Sequence, residues 1–191
     1  MPADRSAASQ QPPREWSRSM KPLARTVVIG IGNEFRRDDG VGWAVVALLG
    51  EQGMKCRLPV DTVLARSDGE PGRLIALWEN VGLAVVVDAC FPPSARPGRT
   101  ARWCDDPAGV LRAGAGRHST HGLGLAEALR LGESIGSLPH RLVLYAVEGA
   151  DHSPGLGLTP EVAHAVPRLA RRIMADLEER GGPSSSGHHA G

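Results

Sequence analysis

Residues 26–49 of the chain read TVVIGIGNEFRRDDGVGWAVVALL. The first six residues, Thr26–Ile31, are β-branched or small and run directly into a glycine, which is typical of a buried strand that ends in a turn. From residue 40 to residue 49 the apolar side chains recur at helical spacing, and Asp38 and Asp39 stand just ahead of them. This stretch therefore predicts a strand, a turn with two acids and a helix.

The same alternation of strand and helix patterns continues along the chain. Further strands are predicted over residues 59–66, 83–87, 100–104 and 141–147. Helices are predicted over residues 71–79, around residues 125–129 and from residue 160 onward, where Thr159 and Pro160 suit a helix start. Apolar strands separated by helices predict an α/β fold, a three-layer α/β/α sandwich with a mostly parallel sheet.

Length and composition restrict the class of protein. The chain has 191 residues, and 22 Lys and Arg against 21 Asp and Glu give a formal charge of +1. The charge balance argues against a nucleic-acid partner, and no apolar run approaches the roughly 20 residues that span a bilayer. Three cysteines without a CxxC spacing predict neither a disulfide framework nor a thiolate metal site, which indicates a cytoplasmic protein.

Both ends of the chain differ in composition from its centre. Residues 1–22 are rich in Ala, Ser, Gln, Pro and Arg and predict a disordered leader, because they lack the apolar segment of a secretory signal. Residues 181–191 offer almost no side chain to bury and predict a flexible tail. A single α/β domain is expected over residues 23–180.

The polar residues that follow the predicted strands are the candidates for chemistry, because ligands of parallel sheets bind at the carboxyl ends of the strands. Carboxylates dominate this group, which also contains one imidazole. Such a cluster repels itself when empty, and a divalent metal relieves the repulsion. The candidates are Asn33, Asp38, Asp39, Asp68, Glu70, Asp88, His121 and Glu148.

Structural roles are open for several of these residues. Asp38 and Asp39 both suit the positive end of a helix dipole, and Asp38 in particular suits a helix cap. His121, preceded by two hydroxyl residues and followed by glycines, suits a cap as well as a metal ligand. Asp88 interrupts an otherwise apolar run, so a buried carboxylate there needs a partner or a metal.

Other chemistries have weaker support in the sequence. The turn that begins at Gly30 follows a strand and precedes a helix, as a dinucleotide-binding turn does, but Phe35 stands where the third glycine belongs. The acids after it would also repel a pyrophosphate. No base is placed beside Cys90, which is interpreted as a core cysteine rather than a nucleophile.

Five short motifs stand in order along the chain: Gly30-Ile31-Gly32-Asn33, Asp38-Asp39-Gly40-Val41-Gly42, Val87-Asp88-Ala89, Ser119-Thr120-His121-Gly122-Leu123-Gly124-Leu125 and Gly157-Leu158-Thr159-Pro160-Glu161-Val162. Taken together, these motifs resemble those of the hydrogenase maturation endopeptidases, which complete the large subunits of nickel–iron hydrogenases. The resemblance covers about residues 25–178 and keeps the order and spacing of the family's motifs. After the second strand the sequence departs from the family's Asp-Gly-Gly-Thr, which predicts a different substrate groove at that point.

The resemblance implies a function and a site. It implies that Asp39, Asp88 and His121 bind nickel shared with the bound precursor, and that Asp38 and Asp39 serve an aspartyl-type peptidase. The enzyme would recognise nickel in the hydrogenase large-subunit precursor and remove its C-terminal extension. We expect it to act as a monomer. A non-catalytic nickel-binding maturation chaperone is the alternative.

Overall fold

The computed structural model describes residues 26–56, 58–105, 107, 109 and 122–181. Both predicted tails, apart from residue 181, and the candidate ligand His121 lie outside these residues. Five strands, four helices and a short 3-10 helix are described. They are β1 (Thr26–Ile31), the 3-10 helix (Arg37–Gly40), α1 (Val41–Cys56), β2 (Thr62–Ser67), α2 (Pro71–Trp78), β3 (Leu83–Cys90), β4 (Thr100–Asp105), α3 (Gly122–Ile135), β5 (Arg141–Glu148) and α4 (Pro160–Gly181).

The strands form one sheet in the order β2-β1-β3-β5-β4. Its first four members are parallel, and β4 pairs with β5 in the antiparallel sense. This arrangement confirms the predicted mostly parallel sheet. The carboxyl ends of β1, β2, β3 and β5 lie along one side, which we call the carboxyl edge.

Several element boundaries differ from the sequence prediction, and three of the differences have a physical reason in the structure. Strand β2 begins at Thr62 instead of residue 59, because the Thr62 amide donates to the Pro59 carbonyl at 2.8 Å and closes a turn there. Strand β3 continues through Asp88 to Cys90, since these residues pair with the end of β5. Helix α1 continues past Gly50, whose low helix propensity is outweighed by its context.

Two apolar cores cover the two faces of the sheet. Side chains of successive strand residues point to opposite faces, so Val85 and Val87 pack with α1 and α4, whereas Ala84 and Val86 pack with α2 and α3. The predicted helix faces are buried, including Trp78 of α2 at 0% exposure. The fold is therefore the three-layer sandwich that the sequence predicted.

The first helix packs against the sheet by direct backbone contact. A Cβ atom at Gly42 would meet the Ile31 carbonyl oxygen and lie 2.6 Å from the Val87 oxygen. A Cβ atom at Gly30 would meet the Gly42 carbonyl in turn. These glycines are needed for close packing of α1 on β1 and β3, so they require no bound dinucleotide to explain them.

A polar cluster joins the edge strand to α4. The Tyr145 hydroxyl donates to Asp176 Oδ2 at 2.6 Å, and Arg102 donates to the same oxygen with Nη2 at 2.7 Å. Burial and then the hydrogen bond to Asp176 raise the pKa of Tyr145 to about 12. The cluster therefore holds the phenol proton more tightly than water does.

No helix in the described ranges combines the length and apolar character needed to cross a bilayer.

Titration of Tyr145 gives a direct test of this cluster, because the chain has one tyrosine. We expect a phenol absorbance midpoint near pH 12 in the native protein, with stability falling as the pH rises from the ordinary value of 10.0 towards it. Asp176→Asn should lower the midpoint, since the hydrogen-bond acceptor is weakened. A native-state midpoint of about 10 in the unmodified protein would contradict the arrangement.

Candidate functional site

Two buried carboxylates lie at the carboxyl edge on neighbouring elements. Asp39, in the 3-10 helix, is 0% exposed, and Asp88, in β3, is 1% exposed. The backbone of Asp39 lies against the end of β1, because a Cβ atom at Gly32 would meet the Asp39 carbonyl and the Asn33 amide donates to that carbonyl at 3.4 Å. Gly32 has a φ of +149°, which disfavours any larger residue at this close approach.

Strand pairing places Asp88 relative to β1. Val87 pairs with Gly30, and Asp88 pairs with Ala146 on the other side. Asp88 therefore lies one residue beyond the last β3 residue that pairs with β1. The end of β3 also contacts the 3-10 helix that carries Asp39. The structure thus brings two of the predicted metal ligands to the same edge of the sheet.

The start of α3 reaches the same edge. A Cβ atom at Gly124 would meet the Gly69 carbonyl, which follows the end of β2. His121 directly precedes this helix in the sequence but lies outside the described residues. Within the described residues, no group of three His, Cys, Asp or Glu side chains is arranged to hold a metal ion. Asp39 and Asp88 are thus two candidate carboxylate ligands, and a metal ion bound there would need further ligands.

Asp38 is equally buried but has a different environment. Its carboxylate accepts hydrogen bonds from the amides of Ala150, Asp151 and Thr159 at 2.8, 3.1 and 2.7 Å, and from the Thr159 hydroxyl at 2.9 Å. None of these donors belongs to α1. The capping interpretation of Asp38 is therefore wrong, because its acceptors are used by the segment between β5 and α4.

This segment, residues 149–159, also binds the chain around Asp38 through the backbone. The Asp38 amide donates to the Asp151 carbonyl and the Arg37 amide to the Gly155 carbonyl, each at 3.0 Å. The Arg37 guanidinium pairs with the Asp151 carboxylate at 3.1 Å. Asp38 consequently fixes residues 149–159 against the 3-10 helix that carries Asp39.

Other acids predicted at this edge have local structural partners. Glu70 caps α2 by accepting from the amides of Gly72 and Arg73 at 2.8 and 2.7 Å. Glu148 accepts from the Arg96 amide at 2.6 Å and holds the loop after β3. The sequence grouped these acids with Asp39 and Asp88 because all of them follow strands, but their hydrogen bonds set them apart.

Cys90 lies beside the same acids at the end of β3. Burial raises the pKa of its thiol to about 11, and the charges of Glu148 and Asp88 add to the effect. The thiol therefore stays protonated at neutral pH, which disfavours a nucleophilic role. The cysteine is half-buried, consistent with the packing role inferred from the sequence.

A groove of about 250 Å³ opens along α1, and its location was not predicted from the sequence. Its walls come from the 3-10 helix, one face of α1, the end of β2 and residues 156–158. We call it the α1 groove. Sequence patterns did not indicate its location, because its lining residues come from three parts of the chain, residues 34–47, Arg66 and residues 156–158, which meet only in the folded protein.

Comparison with known proteins decides the family. The HycI family model, described as hydrogenase maturation protease, matches residues 69–176, more than half of the chain. The chain belongs to the hydrogenase maturation protease family. The resemblance seen in the sequence motifs is thereby confirmed, and members of this family are peptidases.

Individual relatives agree with the family assignment. The hydrogenase 2 maturation protease of Escherichia coli strain K12 is 28% identical over 158 residues, covering 82% of this chain and 93% of the relative. The solved structure of the hydrogenase maturating endopeptidase HybD from E. coli is 26% identical with a TM-score of 0.71, covering 82% of this chain and 94% of HybD. The HycI protease structure from Thermococcus kodakarensis KOD1 is 26% identical with a TM-score of 0.56, covering 81% and 93% of the two chains.

These similarities confirm two predictions for this hydrogenase maturation protease. Its mostly parallel five-stranded sheet with flanking helices matches the fold of HybD. Its class is that of a peptidase, a hydrolase. The individual metal ligands and catalytic residues stay predictions.

Proposed function

We propose that this maturation protease recognises nickel in the precursor of a nickel–iron hydrogenase large subunit and cleaves off the precursor's C-terminal extension. The observation that carries the proposal is the pair of fully buried carboxylates, Asp39 and Asp88, at the carboxyl edge of the sheet. Two buried carboxylates at one edge of the sheet disfavour each other's negative charge, and a divalent cation relieves this repulsion. A cation delivered by the substrate would compensate them.

The donor set suits this cargo. Carboxylate oxygens and an imidazole nitrogen are accepted ligands of divalent first-row metals, so Asp39, Asp88 and His121 would supply three ligands. The remaining positions belong to the precursor and to water. When bound, such an ion polarises a carbonyl or lowers the pKa of a water. Recognition of the metal would make cleavage depend on a completed metal centre.

We assign different roles to the two adjacent acids in the 3-10 helix. Asp38 accepts four hydrogen bonds from residues 150–159 and is proposed to position that segment. Asp39 is the proposed ligand and catalytic carboxylate. The proposal thus moves Asp38 from the catalytic candidates of the sequence to a positioning residue.

Intact-mass spectrometry of a purified large-subunit precursor tests the function. Incubation of the nickel-loaded precursor with the protease should remove one C-terminal peptide. The nickel-free precursor should keep its mass, because it brings no cation to the two carboxylates of the site and therefore binds the protease poorly. Precursor without protease is the control. Equal cleavage of both forms would contradict nickel recognition. An unchanged loaded precursor together with stoichiometric nickel binding by this chain would favour a chaperone.

A further inference from the structure

We propose that the α1 groove binds the precursor polypeptide next to the cleaved bond, with an apolar side chain on the groove floor and an acidic side chain at its rim. The inference rests on the proposed function and names the substrate surface that this function needs. The occupant is an extended segment of the precursor's C-terminal region.

The floor of the groove is apolar and has room for a side chain. Trp43, Ala44 and Ala47 lie on one face of α1, because positions four residues apart are neighbours on a helix. The two alanines leave the space that larger residues would fill. Leu156, on the opposite wall, is 68% exposed and can contact an incoming side chain.

Fixed side chains form the rim, so little ordering is required on binding. The Trp43 indole donates to the Ser67 carbonyl at 3.0 Å, and the Arg66 guanidinium lies 5.6 Å from the centre of the Trp43 ring. A stacked guanidinium and a hydrogen-bonded indole are held in place before the ligand arrives. Such preorganisation lowers the entropic cost of binding.

The charges around the groove leave one cation for a partner. Arg37 is paired with Asp151 at 3.1 Å, whereas Arg66 makes no salt bridge with a described residue. Glu34 also lines the groove, and its negative charge is unfavourable for a second acid. The groove is thus complementary to a segment with one carboxylate near Arg66.

The groove is lined by residues adjacent in sequence to those of the proposed site. Gly40 lines it and directly follows Asp39, while residues 157 and 158 on its far wall lead to the Thr159 held by Asp38. Phe35 is 63% exposed, and its carbonyl accepts from the Gly155 amide at 2.8 Å, next to Leu156. Exposed apolar side chains grouped beside a site indicate a partner-binding surface.

The steric test is Ala47→Leu, which fills the groove from its floor. Steady-state cleavage of the nickel-loaded precursor should show a KM raised at least about tenfold with kcat changed less than about twofold. The leucine obstructs binding of the precursor and leaves the groups that carry out the chemical step unchanged. Ala76→Leu is the matched control, since Ala76 is exposed on α2, on the other face of the sheet. Its KM should equal that of the unmodified protease.

The electrostatic test is Arg66→Glu, which reverses the rim charge. It should raise KM about tenfold, and a precursor whose acidic residues near the cleaved bond are replaced by lysine should recover the loss. If Ala47→Leu does not fold, the exposed Arg66 decides the outcome by itself. An unchanged KM in folded Arg66→Glu would overturn the groove assignment, as would an equal KM for Ala47→Leu and Ala76→Leu.

The two proposals fail in different ways. If the unmodified protease leaves the loaded precursor intact, the proposed function fails and the groove has no substrate to bind. If it cleaves that precursor and the groove variants cleave it with unchanged KM, the function stands and the groove inference alone is wrong. Thermal unfolding of each variant beforehand separates lost binding from lost folding.

Discussion

Asp88→Asn should lower the rate of precursor cleavage by more than about a hundredfold while the protein stays folded. Asparagine keeps the shape of the 1%-exposed side chain and removes its charge, so packing at the end of β3 is preserved. Mutation of a residue that only supports a metal ligand lowers metal affinity or activity by about tenfold to hundredfold. Loss of the ligand itself should lower activity by more than that. Mass spectrometry of the loaded precursor over time measures the rate.

The matched control for this variant is Asp61→Asn. Asp61 is exposed and precedes β2 at the amino end of the sheet, so the same chemical change there should leave cleavage unchanged. Asp39→Asn should behave as Asp88→Asn does. Cleavage at the normal rate by folded Asp88→Asn would remove this residue from the proposed site, whatever the behaviour of Asp39→Asn.

Asp38→Asn should instead destabilise the fold, by about 3–5 kcal/mol in the free energy of unfolding. The Asp38 carboxylate faces four donors and is fully buried. The asparagine side chain replaces one of the two accepting oxygens with an NH2 group, which can only donate. At least one N–H that donates to Asp38 therefore loses its acceptor. Urea unfolding followed by circular dichroism measures the change.

Hydrogen exchange locates the damage within the chain. The amides of Ala150, Asp151 and Thr159 donate to Asp38 and should lose protection first in Asp38→Asn. Thr159→Val removes one donor and keeps the backbone bond, so it should cost only about 1–2 kcal/mol. Native stability and protection in Asp38→Asn, together with lost cleavage, would make Asp38 a catalytic residue instead of a positioning one.

The contrast between these two acids shows how far the sequence predicts the site. The position of Asp88 after an apolar run was enough to place it at the carboxyl edge, because strand direction in a parallel sheet follows from local pattern. Asp38 and Asp39 are adjacent, and no local pattern distinguishes them. The partners of Asp38 lie 112–121 residues away, so only the folded chain shows its role.

Element boundaries follow the same division. The apolar periodicity located every described strand and helix, since burial of one face or stripe is a local requirement. The end of β3 was misplaced because residues 88–90 are strand only through pairing with β5. Such pairing depends on a segment more than fifty residues later, which local propensity does not register.

The sequence by itself determined the layered α/β fold, the side of the sheet on which the acids gather and the resemblance to maturation proteases. These features depend on periodicity, turn residues and short motifs, all of which act over a few residues. Tertiary structure alone decided that Asp38 holds residues 149–159 and that three distant parts of the chain enclose the α1 groove. The physical reason is that hydrogen-bond partners and cavity walls are set by contacts between distant segments, whose geometry exists only after the chain has packed.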